Sequence, residues 1–158
     1  MMSSPAYDMT ADHPEFEISV SLEIDTQESS PDAVTKSLGV FPSLVTRKGE
    51  PEAPEGEHHS VLTHQALNSH NIWRLDSGLP AANTTLSDQI NALLDRLEGK
   101  EEEVQKWAEG AHVFVAAYAY SRVPLLTLSP EQMSRMAALG VTLEVDLHDL
   151  THAQDNDN

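Results

Sequence analysis

The sequence predicts an α+β fold in which one mostly antiparallel sheet has helices packed on one face. Three observations support this prediction. Apolar and polar residues alternate over residues 16–24 and again over 141–148, as they do in strands with one buried face. A helical period with one apolar face begins near Thr85. Two short segments built on one plan each end a helix and lead into a strand.

These two segments share a starting Ser-Pro-acid run and a Leu-Gly-Val ending. They are SPDAVTKSLGV at residues 30–40 and SPEQMSRMAALGV at residues 129–141. The serine can accept a hydrogen bond from a free amide of the first turn, and proline fits the first helical position. Glycine at the end favours the left-handed conformation that stops a helix. We therefore expect Gly39 and Gly140 at positive φ, after buried Leu38 and Leu139.

The remaining elements follow from periodicity in chain order. The expected elements are a strand over 43–47, a long polar loop over 50–70, a strand over 72–75, a helix interrupted at Gly99, a second helical piece before Gly110, a central strand over 112–120, and a short extension or edge over 125–128. The first six elements match two split strand-helix-strand units. The sequence thus predicts a ferredoxin-like core extended by a helix and a strand.

One hydrophobic core is expected to join the sheet to the long helix. The long helix is expected to contribute Leu93 and Leu97 to this core. The sheet residues expected there are Phe16, Ile18, Val20, Leu22, Val113, Val115, Val145 and Leu147.

The length of 158 residues fits a single domain, which we place at residues 15–150. The polar ends, 1–14 and 151–158, are predicted to be disordered tails. No apolar run has the length of a membrane helix, and the start lacks the pattern of a signal peptide. The absence of cysteine suits a reducing compartment, so the predicted location is the cytoplasm.

Charge gives the strongest functional indication. Nine basic residues stand against 26 acidic ones, a formal net charge of −17. Such a chain is repelled by nucleic acid and by anionic lipid, whereas a basic protein is attracted to it. Solubility alone is the alternative explanation of this charge.

Four histidines in and beside the polar loop are candidate metal ligands: His58, His59, His64 and His70. Imidazole binds zinc or nickel well, although a solvated polar loop explains the same composition. There is no cysteine nucleophile, no Gly-x-Ser-x-Gly motif and no glycine-rich phosphate loop. The hypothesis that the protein is an enzyme is therefore less favoured, and no cofactor is predicted.

Basic residues close to an indole form the second candidate site. If the strands over 43–47 and 72–75 pair, Arg47, Lys48 and Arg74 can approach Trp73 and receive a carboxylate. The alternative is that Trp73 fills the core and that the arginines neutralise nearby acids.

Several ordered motifs resemble the bacterial domain-of-unknown-function family numbered 4279. They include RKG at 47–49, WRL at 73–75, LLDRL at 93–97 and LTLSPE at 126–131. The resemblance extends over residues 16–149 and implies a small bacterial protein with no established reaction. Some such families supply immunity proteins that accompany toxins. The His- and Glu-rich stretch between Gly49 and Ile72 departs from the family pattern.

The leading hypothesis is a non-enzymatic acidic protein that binds a basic protein, as an immunity or antitoxin-type partner does. One alternative is a metal- or ligand-dependent enzyme or sensor that uses the His-rich loop. Another is a nucleic-acid mimic that inhibits a DNA-binding protein.

Overall fold

A computed structural model of the protein describes residues 13–51 and 67–152. Five strands and four α-helices make up this part of the chain. In order they are β1 (Phe16–Asp25), α1 (Asp32–Leu38), β2 (Leu44–Thr46), β3 (Ile72–Asp76), α2 (Leu86–Arg96), α3 (Glu101–Gln105), β4 (Ala111–Ala119), α4 (Pro130–Leu139) and β5 (Thr142–Asp149). The predicted α+β class is confirmed.

The strands form one sheet in the order β2-β3-β1-β4-β5. The first four strands are antiparallel to their neighbours, which is the arrangement expected for two split strand-helix-strand units. β5 follows α4 and lies parallel to β4, because a crossover helix returns the chain in the same direction. The additional helix and strand thus extend the core as predicted.

The helices and one face of the sheet share a single apolar core. Trp73, Leu93 and Leu97 are all almost completely buried in it. The sheet contributes alternate residues of β1 and β4, while the helices contribute their apolar faces. This packing leaves the opposite face of the sheet without a helix among the described residues.

Both capped segments end as predicted. Gly39 and Gly140 lie at φ +69° and +71°, and Leu38 and Leu139 are buried. The Ser129 hydroxyl accepts from the Gln132 N–H, and the Gln132 side chain returns to the Ser129 N–H, which is a complete capping box. In the first segment the Ser30 hydroxyl is 3.3 Å from the Asp32 amide. Gly99, at φ +79°, separates α2 from α3.

Two core predictions are wrong. Val145 and Leu147 share the helix-side face with Val115 and Ala117, yet they are 46% and 44% exposed. The reason is that β5 lies at the edge of the sheet and α4 packs on α2 and α3, so no helix covers their side chains in the described part of the chain.

The segment over residues 125–128 is also not a strand. Its Leu126 and Leu128 instead pack as partly buried residues against the core.

The tails predicted at 1–14 and 151–158 fall almost entirely outside the described residues, as do residues 52–66 of the predicted loop. The ends of that loop meet in an antiparallel bridge between Pro51 and Leu67. No helix in the described ranges combines the length and apolar character that crossing a membrane requires.

Candidate functional site: the open face of the sheet

The open face of the sheet collects the polar positions of the alternating strands. In β1, Glu17 and Glu23 alternate with core residues, and β5 places Glu144 and Asp146 on the same side through its register with β4. Asp76 joins them because it lies opposite Ser21 of β1. We call these five residues the acidic face.

Positive charge is scarce on the acidic face. Arg74 is the only lysine or arginine within the five strands, and its Nε donates to Asp76 Oδ1 at 2.9 Å. Four carboxylates of the acidic face therefore have no lysine or arginine partner on any strand. A surface of this kind attracts cations and repels phosphate groups.

His112 of β4 lies between acids of the two neighbouring strands. Its Nε2 is 3.1 Å from Glu23 Oε2 and 3.7 Å from Glu144 Oε2. The side chains of His112 and Glu23 are only 24% and 22% exposed, whereas that of Glu144 is 56% exposed. Glu144 is thus the carboxylate of this group that an incoming cation reaches most easily.

Aromatic side chains occupy the middle of the same face. The Tyr118 ring stacks on His148 with centroids 4.7 Å apart and planes at 8°, and His148 Nε2 lies 2.9 Å from Asp146 Oδ2. The His112 and Phe114 rings meet edge to face at 6.4 Å. Because β4 runs between β1 and β5, these rings are flanked by carboxylates on both sides.

Tyr120 extends this arrangement beyond the end of β4. Its hydroxyl donates to Glu17 Oε2 at 3.4 Å. Burial, and then the nearby Glu17 carboxylate, raise the pKa of the Tyr120 phenol, because both disfavour the phenolate. Tyr120 is therefore a neutral hydrogen-bond donor at ordinary pH and supplies no base for catalysis.

The four residues predicted to bind a ligand are not grouped around the indole. Trp73 is buried on the helix side, where its Nε1 donates to Thr35 Oγ1 at 3.0 Å. Arg74 follows it on β3 and so faces the other way. The structure thus separates Trp73 from Arg74, although β2 and β3 pair as expected.

Arg47 and Lys48 lie just after β2 and pair with separate acids. Arg47 Nη2 donates to Asp32 Oδ1 at 2.9 Å, and Lys48 Nζ is 3.4 Å from Glu28 Oε1. The hydrogen bond from Arg47 holds the pKa of Asp32 below its usual range. Ligand binding by the predicted set stays a prediction, and it would have to proceed without the indole beside Arg74.

The predicted metal ligands His58, His59 and His64 lie outside the described residues. His70 is described, and its Nδ1 is 3.0 Å from Asp25 Oδ2. Within the described ranges, no three His, Asp or Glu side chains are arranged to hold a metal ion. Metal binding by the loop stays a prediction, to be checked by elemental analysis of protein made without an affinity tag.

A small depression also lies at the end of β1. It has a volume of about 190 Å³, and Asp25, Gln27, Trp107 and Gly110 are among its lining residues. Ligand pockets commonly measure about 300–1,000 Å³, so this depression is small for that purpose. The open face remains the better candidate.

Sequence reasoning identified the alternation but missed the site that it creates. The alternation predicts that the polar positions of β1 and β5 face solvent, yet the two strands are more than a hundred residues apart in the chain. Only the strand order, with β4 between them, places Glu23 and Glu144 around one histidine. Scarcity of Lys and Arg in all predicted strands was the signal that could have indicated an acidic face.

Fold and surface together define an α+β domain with helices on one side of its sheet and an open acidic face on the other. The chain belongs to a family described as a domain of unknown function (DUF4279), whose model matches residues 16–150. The resemblance noted in the motifs is thereby confirmed. Comparisons with curated proteins and with solved structures give no significant match.

Proposed function

We propose that this protein is a non-enzymatic binding protein whose acidic face receives a basic protein. The observation that carries the proposal is the composition of that face. It has five carboxylates, and its one arginine is already paired with Asp76. Complementary charge accelerates encounter and suppresses wrong partners.

The centre of the open face carries aromatic side chains, which can supply affinity that charge alone does not. Phe114 is partly exposed and Tyr118 is 37% exposed, between the acids of β1 and β5. Aromatic side chains near the centre of an interface commonly contribute most of the affinity. The arrangement therefore suits a protein surface with an apolar centre and a basic rim.

An immunity or antitoxin-type role is the form of this function that we favour. Capture of a toxin has to be fast, and the net charge of −17 favours rapid association with a basic one. The same charge disfavours direct binding to nucleic acid or to anionic membranes. The cysteine-free composition agrees with a cytoplasmic place of action.

Co-purification from the native host at low salt tests the proposal when two matched variants are compared. The acidic-face variant carries Glu17→Gln, Glu23→Gln, Glu144→Gln and Asp146→Asn. The control variant removes the same amount of charge from exposed positions on or beside the helices: Asp88→Asn, Glu98→Gln, Glu102→Gln and Glu131→Gln. Circular dichroism confirms that both variants fold.

The proposal is supported if an identified basic protein co-purifies with the wild type and with the control variant but not with the acidic-face variant. Equal loss from both variants would show that only the total charge matters and would contradict the proposal. If the captured protein binds DNA and DNA displaces it, the face acts as a nucleic-acid mimic, the alternative predicted from the sequence.

A further inference from the structure

In the described part of the chain, β5 forms a long edge of the sheet with no strand beyond it. It has eight residues and pairs only with β4 among the described residues, whereas the opposite edge strand, β2, has three. Short edge strands are one means by which proteins prevent unwanted strand pairing. β5 lacks this protection.

The backbone of β5 offers free hydrogen-bonding groups at alternate residues. Just past the strand, the Leu150 N–H donates to the Ala119 carbonyl at 2.8 Å, so the even-numbered residues bond to β4. In a strand, consecutive residues direct their N–H and C=O groups to opposite sides. The groups of Leu143, Val145 and Leu147 therefore point towards the free edge.

The side chains of β5 divide in the same alternating manner. Val145 and Leu147 lie on the helix side and are about half exposed. Glu144 and Asp146 lie on the open face and belong to the acidic face. A strand that complements this edge needs apolar residues on one side and positive charge on the other.

A second copy of the chain fits this edge poorly. β5 contains Glu144, Asp146 and Asp149 and no lysine or arginine, so two copies would bring acids together across the new pair. Like charges on paired strands destabilise the pairing, and each chain carries a net charge of −17. A basic segment is instead attracted to the same edge.

We infer that the basic partner adds a strand to the free edge of β5, through a segment in which Lys or Arg alternates with apolar residues. The basic side chains face Glu144 and Asp146, and the apolar ones cover Val145 and Leu147. Backbone bonds give affinity in this mode, and alternate side chains give specificity. The inference rests on the proposed function and specifies how its site is used.

Amide hydrogen exchange followed by NMR tests the inference with a defined probe. The probe is a synthetic peptide in which Lys and Val alternate over eight residues, and its control has the same composition in the order Lys-Lys-Val-Val, repeated. Only the alternating peptide can place all lysines on one side of a strand. We expect it to bind about tenfold more tightly than the control.

The decisive result is the pattern of protection. Binding should slow exchange at the Val145 and Leu147 amides, while Glu144 and Asp146 serve as internal controls because they already bond to β4. If both peptides bind equally and the protection of Val145 and Leu147 is unchanged, strand addition is wrong although capture of basic chains stands. If neither peptide binds at low salt, the proposed function also loses support.

Two further outcomes would overturn the inference. Slow exchange at Val145 and Leu147 in the free protein would mean that another segment of the chain already covers the edge. If the protection of these two amides rises with protein concentration in the absence of peptide, the edge binds a second copy of the chain.

A pair of variants separates the backbone from the side chain. Val145→Pro removes one outward N–H, at an edge position where proline is tolerated, whereas Val145→Ala keeps it. Strand addition predicts that the proline variant binds the alternating peptide about tenfold more weakly than the alanine variant. If both variants fold and bind the peptide with equal affinity, strand addition is contradicted. If the proline variant does not fold, the exchange pattern of the wild type is the deciding measurement.

Discussion

At the scale of single residues, the acidic face depends on how its carboxylates are already partnered. Asp76 holds Arg74, and Glu23 lies close to His112 with limited exposure. Glu144 is more exposed and is 3.7 Å from the same histidine. Among the described residues, Glu144 forms no ion pair with a lysine or arginine, so a lysine or arginine of a partner can reach it without displacing one.

Leu93 tests the packing beneath the sheet. It is 0% exposed in the shared core, so Leu93→Ala should leave a cavity and lower the free energy of unfolding by roughly 2–5 kcal/mol. Urea denaturation measures the change. Met133 on α4 is 50% exposed, and Met133→Ala should change the stability by only about 0.5 kcal/mol. Similar effects at both positions would contradict the core described here.

Glu103 gives the fold a dependence on pH. The hydrogen bond from the Ser37 hydroxyl, and then that from the Lys106 ammonium, hold the pKa of Glu103 below its usual range. A carboxyl whose pKa is lower in the folded state contributes stability above the unfolded pKa and loses it as the pH falls through the folded pKa.

Acid titrations of unfolding should therefore separate Glu103→Gln from the wild type. The wild type loses this contribution as the pH falls below the ordinary pKa range of a glutamate and through the lower pKa of Glu103, whereas the variant has no such contribution to lose. Its stability curve should be flatter in that range. Glu102→Gln, at the exposed neighbouring position, is the control and should follow the wild type. A Glu103→Gln curve parallel to the wild type would show that the bond to Ser37 does not stabilise the fold.

At the scale of elements, local signals predicted α1, α2 and α4 and their ends well, whereas the second helical piece, expected to reach Gly110, ends as α3 at Gln105 and is followed by a 3-10 turn over Ala108–Gly110. The Ser-Pro-acid starts and the glycine stops act within a few residues of each other, so the sequence contains all the necessary information. The exposure of Val145 and Leu147 could not be predicted in this way. Alternation shows that a strand has one apolar face, but only the strand order shows which strand lies at the edge.

The separation of Trp73 from Arg74 has a similar origin. Adjacent residues of a strand point to opposite faces, and this rule was available from the sequence once β3 was predicted. The predicted pocket, in which Arg74 lies beside Trp73, instead assumed that neighbours in the sequence lie on the same side of the strand. The indole lies on the helix side of the sheet, where its N–H donates a hydrogen bond to the Thr35 hydroxyl of α1.

Gly140 tests the helix stop directly. At φ +71° an added Cβ would meet Gln105 and Ala108 at ordinary contact distances of 3.6 and 3.7 Å, so a Cβ fits and the left-handed conformation is the cost that every L side chain meets at this position. Gly140→Val should destabilise the protein by about 1–2 kcal/mol or more. Gly140→Asn should cost less, because asparagine tolerates the left-handed region. Thermal unfolding measures both, and equal stability of the valine variant and the wild type would contradict the assigned stop.

At the scale of the whole molecule, charge and topology have to be combined before a function can be proposed. The net charge of −17 was evident from composition and could equally describe a merely soluble protein. The sheet order turns part of that charge into a surface, because it places β1, β4 and β5 side by side with their polar positions on the side away from the helices. The family match extends over residues 16–150 and thus includes all five strands of this sheet.

The central claim is that the acidic face, and not the total charge, captures a basic partner. The most direct test is the association rate with the co-purified partner at low salt, compared among the wild type, the acidic-face variant and the control variant. We predict that the acidic-face variant associates about tenfold more slowly and with a weaker salt dependence, while the control variant stays close to the wild type. Equal slowing of the two variants would contradict the account.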